Sequence, residues 1–275
     1  PPTTPFGGDM TVPTTRRPPA LRRALLGVTG LAGFLVGWQA IPALGLIDPQ
    51  YLPYVTDVLA RLAEQLVDLA FWRRLGSTMT SWAIGLTVAT VAAVALGTVV
   101  GLVPFLRRST HTMVEFLRPI PSVALIPLAV LMFGIQRQAA LVIIVYASFW
   151  QVFVQVIYGV ADVDAVARDT ARSFGLRRRE QWTHLVLPTT LPYLMTGLRL
   201  AAAVALILAI TAEMVIGNPG LGRMIELSRS GGDAVGLYAL VVVTGLLGLA
   251  VNLVFRFVER RTLSWHESVR GERAR

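Results

Sequence analysis

The sequence predicts an all-α membrane protein with six transmembrane helices, and three observations carry that prediction. Of the 275 residues 54% are hydrophobic and only 15% are charged. The charges fall in short segments between long apolar blocks, whereas a soluble domain would interleave them along amphipathic elements. Six of those blocks approach or exceed the roughly 20 residues that a helix needs to cross about 30 Å of hydrocarbon.

Residues 1–19 are rich in Pro, Thr and Gly and contain no apolar run, so a disordered tail is expected over residues 1–22. Arg16, Arg17, Arg22 and Arg23 then precede the first block, Ala24–Leu46, which is longer than a signal-peptide core and reads as an uncleaved span. Val55, Val58, Leu59, Leu62, Leu66 and Leu69 recur at helical spacing against Asp57, Arg61, Glu64 and Asp68. That pattern predicts an amphipathic helix over Val55–Phe71 at the membrane surface, packed on the protein itself or docking a partner.

The second span is placed at Thr78–Val103 and the third at Met113–Phe133. The third contains Glu115, Arg118, Pro119, Pro121 and Pro127, so it is expected to be kinked, with neighbouring helices satisfying the freed carbonyls. The fourth, fifth and sixth spans follow at Ala139–Val160, Leu191–Ile216 and Ala234–Phe257. Together these make a transmembrane domain of residues 23–260, followed by a polar tail, 261–275.

Arginine placement orients the domain. With the N-terminus inside, 17 of the 25 arginines lie on cytoplasmic segments, including Arg107, Arg108, Arg177, Arg178 and Arg179. Only Arg61, Arg73, Arg74, Arg137, Arg223 and Arg229 lie outside. The positive-inside rule therefore selects a topology with both termini cytoplasmic. The net charge of +9 is accounted for by that orientation, and no nucleic acid partner is implied.

All 25 basic residues are arginine, so the chain has no lysine for a P-loop and no Schiff-base nucleophile. If ATP powers its work, hydrolysis occurs on another polypeptide. The absence of cysteine removes disulfides, thiol nucleophiles and iron–sulfur ligation. His111, His184 and His266 are scattered over separate segments without ligand spacing, and no paired acids or nucleophile–base sets converge. An enzyme is the least supported reading.

The segment after the fourth span, DTARSFGLRRREQWTHLVLP from Asp169 to Pro188, carries the strongest local signal. Small and apolar residues alternate with charges up to Phe174, as in a short helix with one packing face. Gly175 would close that helix in the left-handed conformation, and a second short helix would run from about Glu180 until Pro188 and Pro192 interrupt it. On pattern alone the segment fits equally a loop that merely links two spans. Its acid-x-Ala-x(3)-Gly-x(9)-Leu-x-Leu-Pro spacing resembles the cytoplasmic EAA loop of ABC-importer permeases. The matching positions are Asp169, Ala171, Gly175, Leu185, Leu187 and Pro188, with Thr170 where the family usually has alanine and Asp169 where it has glutamate.

Two further stretches are similar to the nitrate/sulfonate/taurine branch of that family. They are FLRPIPSVALIPLAVLMFGI, Phe116–Ile135, and the TGLR, AEM and GLG elements between Thr196 and Gly222. The resemblance covers roughly Leu75–Val258. It implies a type I ABC-importer permease fold in a bacterial cytoplasmic membrane, with loop 161–189 coupling to a separate ATPase. It also implies a second permease copy as homodimer partner and an extracytoplasmic solute-binding protein. ATP and Mg would sit on the partner ATPase, with no cofactor in this chain. The branch implies a small anion such as nitrate, a sulfonate or taurine, while related permeases carry pyrimidine precursors or aromatic acids. From other classes, an ion-driven secondary transporter predicts internal repeats and mid-membrane charges, and a scaffold subunit predicts no ATP coupling.

Polar residues inside apolar spans mark candidate pathway positions, because lipid exposure of such groups costs several kcal/mol. Ser148, Gln151 and Gln155 share a face of the fourth span, and Glu213 lies near the outer end of the fifth. Interhelical hydrogen bonding is an equal alternative for the first three, and a structural bond to a neighbouring loop for Glu213. Arg199, Asn252 and Gln39 are the other intramembrane polar positions, with Arg199 expected to snorkel towards the cytoplasmic interface. Trp182 and His184 are candidates for ATPase contact, and Met132, Phe133, Phe149, Trp150 and Phe153 for packing.

Overall fold

A computed structural model describes residues 20–263, with side chains from Leu25 onward. Of the tail expected to be disordered over residues 1–22, residues 1–19 lie outside the described residues, as do His266 and most of the C-terminal tail, whereas Ala20, Leu21 and Arg22 are helical. The chain up to Thr56 and the chain from Asp57 form two compact units.

The first unit holds α1, Ala20–Ala43, a span whose large apolar side chains, among them Phe34 and Val36, are exposed as lipid contact requires. Its C-terminal end is tied to the following turn. Trp38 Nε1 donates to the Pro53 carbonyl at 3.1 Å, and Gln39 Oε1 accepts from the Thr56 amide at 3.4 Å.

Helix α2, Val55–Val67, ends four residues earlier than the periodicity predicts. The Asp68 carboxylate accepts the Ala70 amide at 2.8 Å and so starts a new helix, α3, Leu69–Leu102. The remaining elements are α4 (Pro104–Leu117), a 3₁₀ turn (Ser122–Leu125), α5 (Ile126–Phe133) and α6 (Arg137–Ala161). After α6 come α7 (Ala165–Ser173), α8 (Arg178–Gln181), a π turn (Trp182–Val186), α9 (Leu187–Ile216), α10 (Leu221–Ser230) and α11 (Ala234–Thr262). Among the described residues, five helical segments are long and apolar enough to cross a membrane, and joining α4 to the 3₁₀–α5 segment gives a sixth.

The core is a trio of long helices that approach closely wherever glycine removes a side chain. Helices α3 and α6 run parallel, with Gly97 and Gly101 against Val156 and Val160. Helix α9 runs antiparallel to α6, and the two are closest where Gly159 meets Thr190 and Gly197 meets the Gln151 carbonyl and Gln155. A Cβ on Gly197 would lie 3.1 Å from the Gln155 Cβ, so any larger residue there forces the helices apart. Buried Ala139, Ala140, Ala201, Ala205 and Ala209 continue the same seam, and Trp82 Nε1 ties α3 to the Ala202 carbonyl at 2.9 Å. Phe149, Trp150 and Phe153 form an aromatic cluster on α6, in keeping with the packing role expected of them. Met132, expected to pack, is exposed.

The third predicted span is bent, as expected, and more sharply than a kink within one helix. Instead of one kinked helix over Met113–Phe133, the chain makes two segments bent by 82°. Pro119 and Pro121 remove adjacent donors, and the intervening residues leave helical geometry, with Pro121 at ψ 111°. The charged half, α4, therefore need not follow the apolar half through the bilayer. Nor do Pro188 and Pro192 end a helix as expected. The π turn carries the Leu187 amide to the Trp182 carbonyl, and the chain stays helical from Arg178 to Ile216.

Candidate functional site: the α6–α9 loop and the clamp at the opposite end

The segment between α6 and α9 is built from local hydrogen bonds. The Asp164 carboxylate caps α7 by accepting the Val166 amide at 2.8 Å. At the other end Gly175, with φ +73°, closes the helix in a Schellman turn: the Leu176 amide donates to the Ala171 carbonyl at 3.0 Å and the Gly175 amide to Arg172 at 2.9 Å. A positive φ at this position is what glycine supplies without strain. The Glu180 carboxylate then accepts the Arg177 amide at 2.7 Å, starting α8, and Gln181 Nε2 returns to the Leu176 carbonyl at 2.9 Å.

This short helix pair is attached at its base and open at its tip. Trp182 and Leu185 pack half-buried against the bundle core and Val186 is buried. Tyr193 on α9 donates to Asp162 Oδ2 at 2.8 Å, fastening the α6 end. On the outward side Val166 is 71% and Phe174 80% exposed, flanked by Arg168, Arg172, Arg177, Arg178 and Arg179. Exposed apolar side chains within a charged rim are the composition of a docking face. Asp169 is exposed and pairs with Arg172 at 3.3 Å, while the Thr170 hydroxyl is spent on the Val166 carbonyl at 2.8 Å. Ala171 is half-buried. Leu185 faces the core, Leu187 is partly exposed and Pro188 stands in the first turn of α9. Trp182 thus belongs to the anchor, whereas His184 is exposed and bonds locally, through Nδ1, with the Glu180 carbonyl.

The four candidate pathway residues do not converge. Ser148 is fully buried in the α6–α9 seam, its hydroxyl 3.5 Å from the Ala201 carbonyl, and Gln151 and Gln155 are half-buried on the same seam beside Gly197. Glu213 lies apart at the far end of α9. It is only 2% exposed, and its Oε2 accepts from the Thr78 hydroxyl at 2.8 Å and the Gly222 amide at 3.1 Å. Thr78 Oγ1 in turn accepts the Leu221 amide at 2.9 Å. The carboxylate therefore caps α10 across the turn and bolts α9 to α3. Gly220 and Gly222 leave the space it occupies, since a Cβ on either would run into Glu213.

Other polar groups extend this clamp. Ser77 Oγ donates to the Pro219 carbonyl at 2.8 Å, Arg137 Nη2 reaches Ser77 Oγ at 3.2 Å, and Asn218 Nδ2 donates to the Gln136 carbonyl at 3.1 Å. Sequence reasoning missed Ser77, Thr78, Arg137 and Asn218, which look like ordinary span-edge residues. The one available signal was the pair of glycines, Gly220 and Gly222, seven and nine residues after an intramembrane acid. Nearby, the Arg229 guanidinium on Glu226 holds that carboxyl below the ordinary carboxylate range. Arg61 bridges Glu64 at 3.2 Å and Asp233 at 3.1 Å, linking α2 to the start of α11.

Arg199 also has a partner that the sequence did not reveal. Its guanidinium lies 3.2 Å from Glu259 on α11, at the border of an apolar groove of about 630 Å³ that includes Asn252 and Gly248.

Comparison with known proteins places these features in context. A family model described as binding-protein-dependent transport system inner membrane component matches residues 85–264. The taurine transport system permease protein TauC of Escherichia coli K12 is 29% identical over 259 residues, covering 91% of this chain and 93% of that one. The nitrate import permease protein NrtB of Leptolyngbya laminosa is 26% identical over 218 residues, covering 79% and 74%. Among solved structures, a chain of the inward-facing MetNI methionine ABC transporter aligns with a TM-score of 0.61 at 17% identity, covering 70% of this chain and 95% of that one. A chain of a bacterial alginate ABC transporter aligns with a TM-score of 0.62 at 15% identity, covering 88% and 97%.

Proposed function

The chain belongs to the binding-protein-dependent transport system inner-membrane component family and is the permease component of an ABC importer; we propose that it carries a small anion and that loop 161–189 couples it to the ATPase. The observation that carries the coupling role is the pair of exposed apolar side chains at the two ends of α7, Val166 and Phe174, among arginines on a loop fixed to α6 and α9. A partner that buries these side chains gains their apolar area and can move both long helices through the loop. The arginine asymmetry supports a cytoplasmic loop and cytoplasmic termini. Two copies related by a two-fold axis would complete a pathway that one chain cannot enclose. Nucleotide binding would then act as a difference in stability between two membrane states.

The taurine, sulfonate and nitrate permeases among the relatives support an anionic cargo, with selectivity shared by the binding protein. The test is reconstitution with the cognate ATPase and binding protein in proteoliposomes, with labelled taurine, an alkanesulfonate or nitrate. ATP-dependent accumulation of one of these is expected. Stabilisation of the binding protein only by a pyrimidine precursor or an aromatic acid would overturn the anion assignment.

A further inference from the structure

Helix α4 takes no part in the reading above, yet its 14 residues divide into three distinct faces. Leu106, Thr110, Val114 and Leu117 recur at helical spacing and are half-buried, with Val114 against the core. Phe105, Met113 and Phe116 form a second face and are 74%, 61% and 74% exposed. Arg107, Arg108, His111 and Glu115, with Arg118 at the end of the helix, form a third. At about 100° per residue, the exposed apolar and cationic faces are centred about 145° apart. A helix that is packed on one side, apolar on another and cationic on the third suits a membrane interface and not a bilayer interior. Its 82° angle to the 3₁₀–α5 segment frees it from the crossing direction.

The cationic face borders a cavity of about 240 Å³ between α4 and α6, lined by Arg107, His111, Glu115, Arg118 and Tyr158 among others. Glu115 is engaged by His111 at 3.4 Å. Arg107, Arg108 and Arg118 form no ion pair with any described acid. A basic cavity on one side of α4 and exposed aromatic side chains on the other match a lipid whose anionic head lies above the helix and whose apolar chains lie below it. We propose that α4 is an interfacial helix that binds an anionic phospholipid from the leaflet on the loop side of the membrane. Arg107 and Arg118 hold the phosphate, and Phe105 and Phe116 lie among the acyl chains. Guanidinium groups pair with phosphate oxygens through two parallel donors, which a zwitterionic head with its own ammonium satisfies less well. A free phosphate would leave the aromatic face without a use, so the lipid is the source favoured.

The test uses the purified complex of this chain with its ATPase, equilibrated in detergent with equimolar phosphatidylglycerol and phosphatidylcholine, and retained lipid measured by mass spectrometry. The native complex is expected to enrich phosphatidylglycerol. Arg107→Gln, Arg108→Gln and Arg118→Gln together should reduce that enrichment by about fivefold for each arginine in contact. Phe105→Ser with Phe116→Ser should reduce total retained lipid. Arg73→Gln with Arg74→Gln, on α3, should leave enrichment unchanged. Full enrichment in a triple variant that elutes as the native complex would overturn the proposal, as would displacement of the lipid by inorganic phosphate. Where the triple variant does not assemble, Arg118→Gln alone and the phosphate competition on the native complex decide the matter.

Discussion

Replacing Gly175 with valine separates the shape of the loop from its surface chemistry. Gly175 has φ +73°, and a Cβ there would meet nothing within 4 Å, so the substitution adds no clash and acts only through the backbone. An L-residue in the left-handed region costs about 1–2 kcal/mol, with a β-branched residue at the upper end. Relieving the strain means opening the Schellman turn and giving up the Leu176–Ala171 and Gly175–Arg172 bonds. These are solvent-exposed, so each is worth about 0.5–1 kcal/mol net. A strain of about 1.4–2 kcal/mol lowers the closed-to-open ratio of the turn by about 10- to 30-fold. The assay is ATP-driven uptake in proteoliposomes alongside ATP hydrolysis stimulated by liganded binding protein, at matched permease content. Gly175→Val should cut uptake by about two- to fivefold, following the lost closed fraction, while membrane insertion stays normal. Gly175→Asn, which tolerates the left-handed conformation, should retain most of it. Equal uptake in the valine and native proteins, or equal loss in the asparagine and valine variants, would refute the reasoning.

Four further outcomes follow from the geometry. Asp169→Asn removes only an exposed pair with Arg172, so the thermal midpoint should hold within the effect of about 0.5 kcal/mol, and uptake should fall less than in Gly175→Val. Glu213→Leu strands the Thr78 hydroxyl and the Gly222 amide, and should lower the melting temperature of the detergent-purified permease through a loss of about 2–5 kcal/mol, whereas Glu213→Gln keeps an acceptor and should lose much less. Gly197→Leu wedges α6 from α9, since a Cβ at this position lies only 3.1 Å from the Gln155 Cβ, and should cost about 1–3 kcal/mol in the same melting assay. A double-mutant cycle on Arg199→Met and Glu259→Gln should give a coupling of about 1 kcal/mol, because the Arg199 side chain is 38% exposed.

The loop illustrates how far local pattern reaches. The end of α7 at Gly175 was legible because left-handed closure is a property of one residue and its immediate hydrogen bonds. The course of α9 was not, since Pro188 and Pro192 read as interruptions. Pro188 follows a π turn whose wider hydrogen-bond register absorbs its missing donor, and Pro192 is carried inside α9, so the chain stays helical through both. The kink in the third span was legible from Pro119 and Pro121, but its size, 82°, was not, because the angle depends on how the two segments pack on the rest of the bundle.

The site followed the same division. Asp169 and Thr170 were singled out by resemblance to a family loop, whereas the helix closure at Gly175 was legible because it depends on one residue and its immediate hydrogen bonds. Ser77, Thr78, Arg137 and Asn218 could not be found, because each becomes functional only beside a partner about 60 to 140 positions away. The sequence by itself determined the membrane class, the five long spans and the helix-closing glycine, since bilayer thickness and backbone sterics act on contiguous residues. Only the tertiary structure decided that Glu213 clamps α3 to α10, that Ser148 faces the α6–α9 seam and that Arg199 meets Glu259. Buried polar groups must find partners wherever packing delivers them, and helix packing is a relation between distant segments that one-dimensional periodicity does not encode.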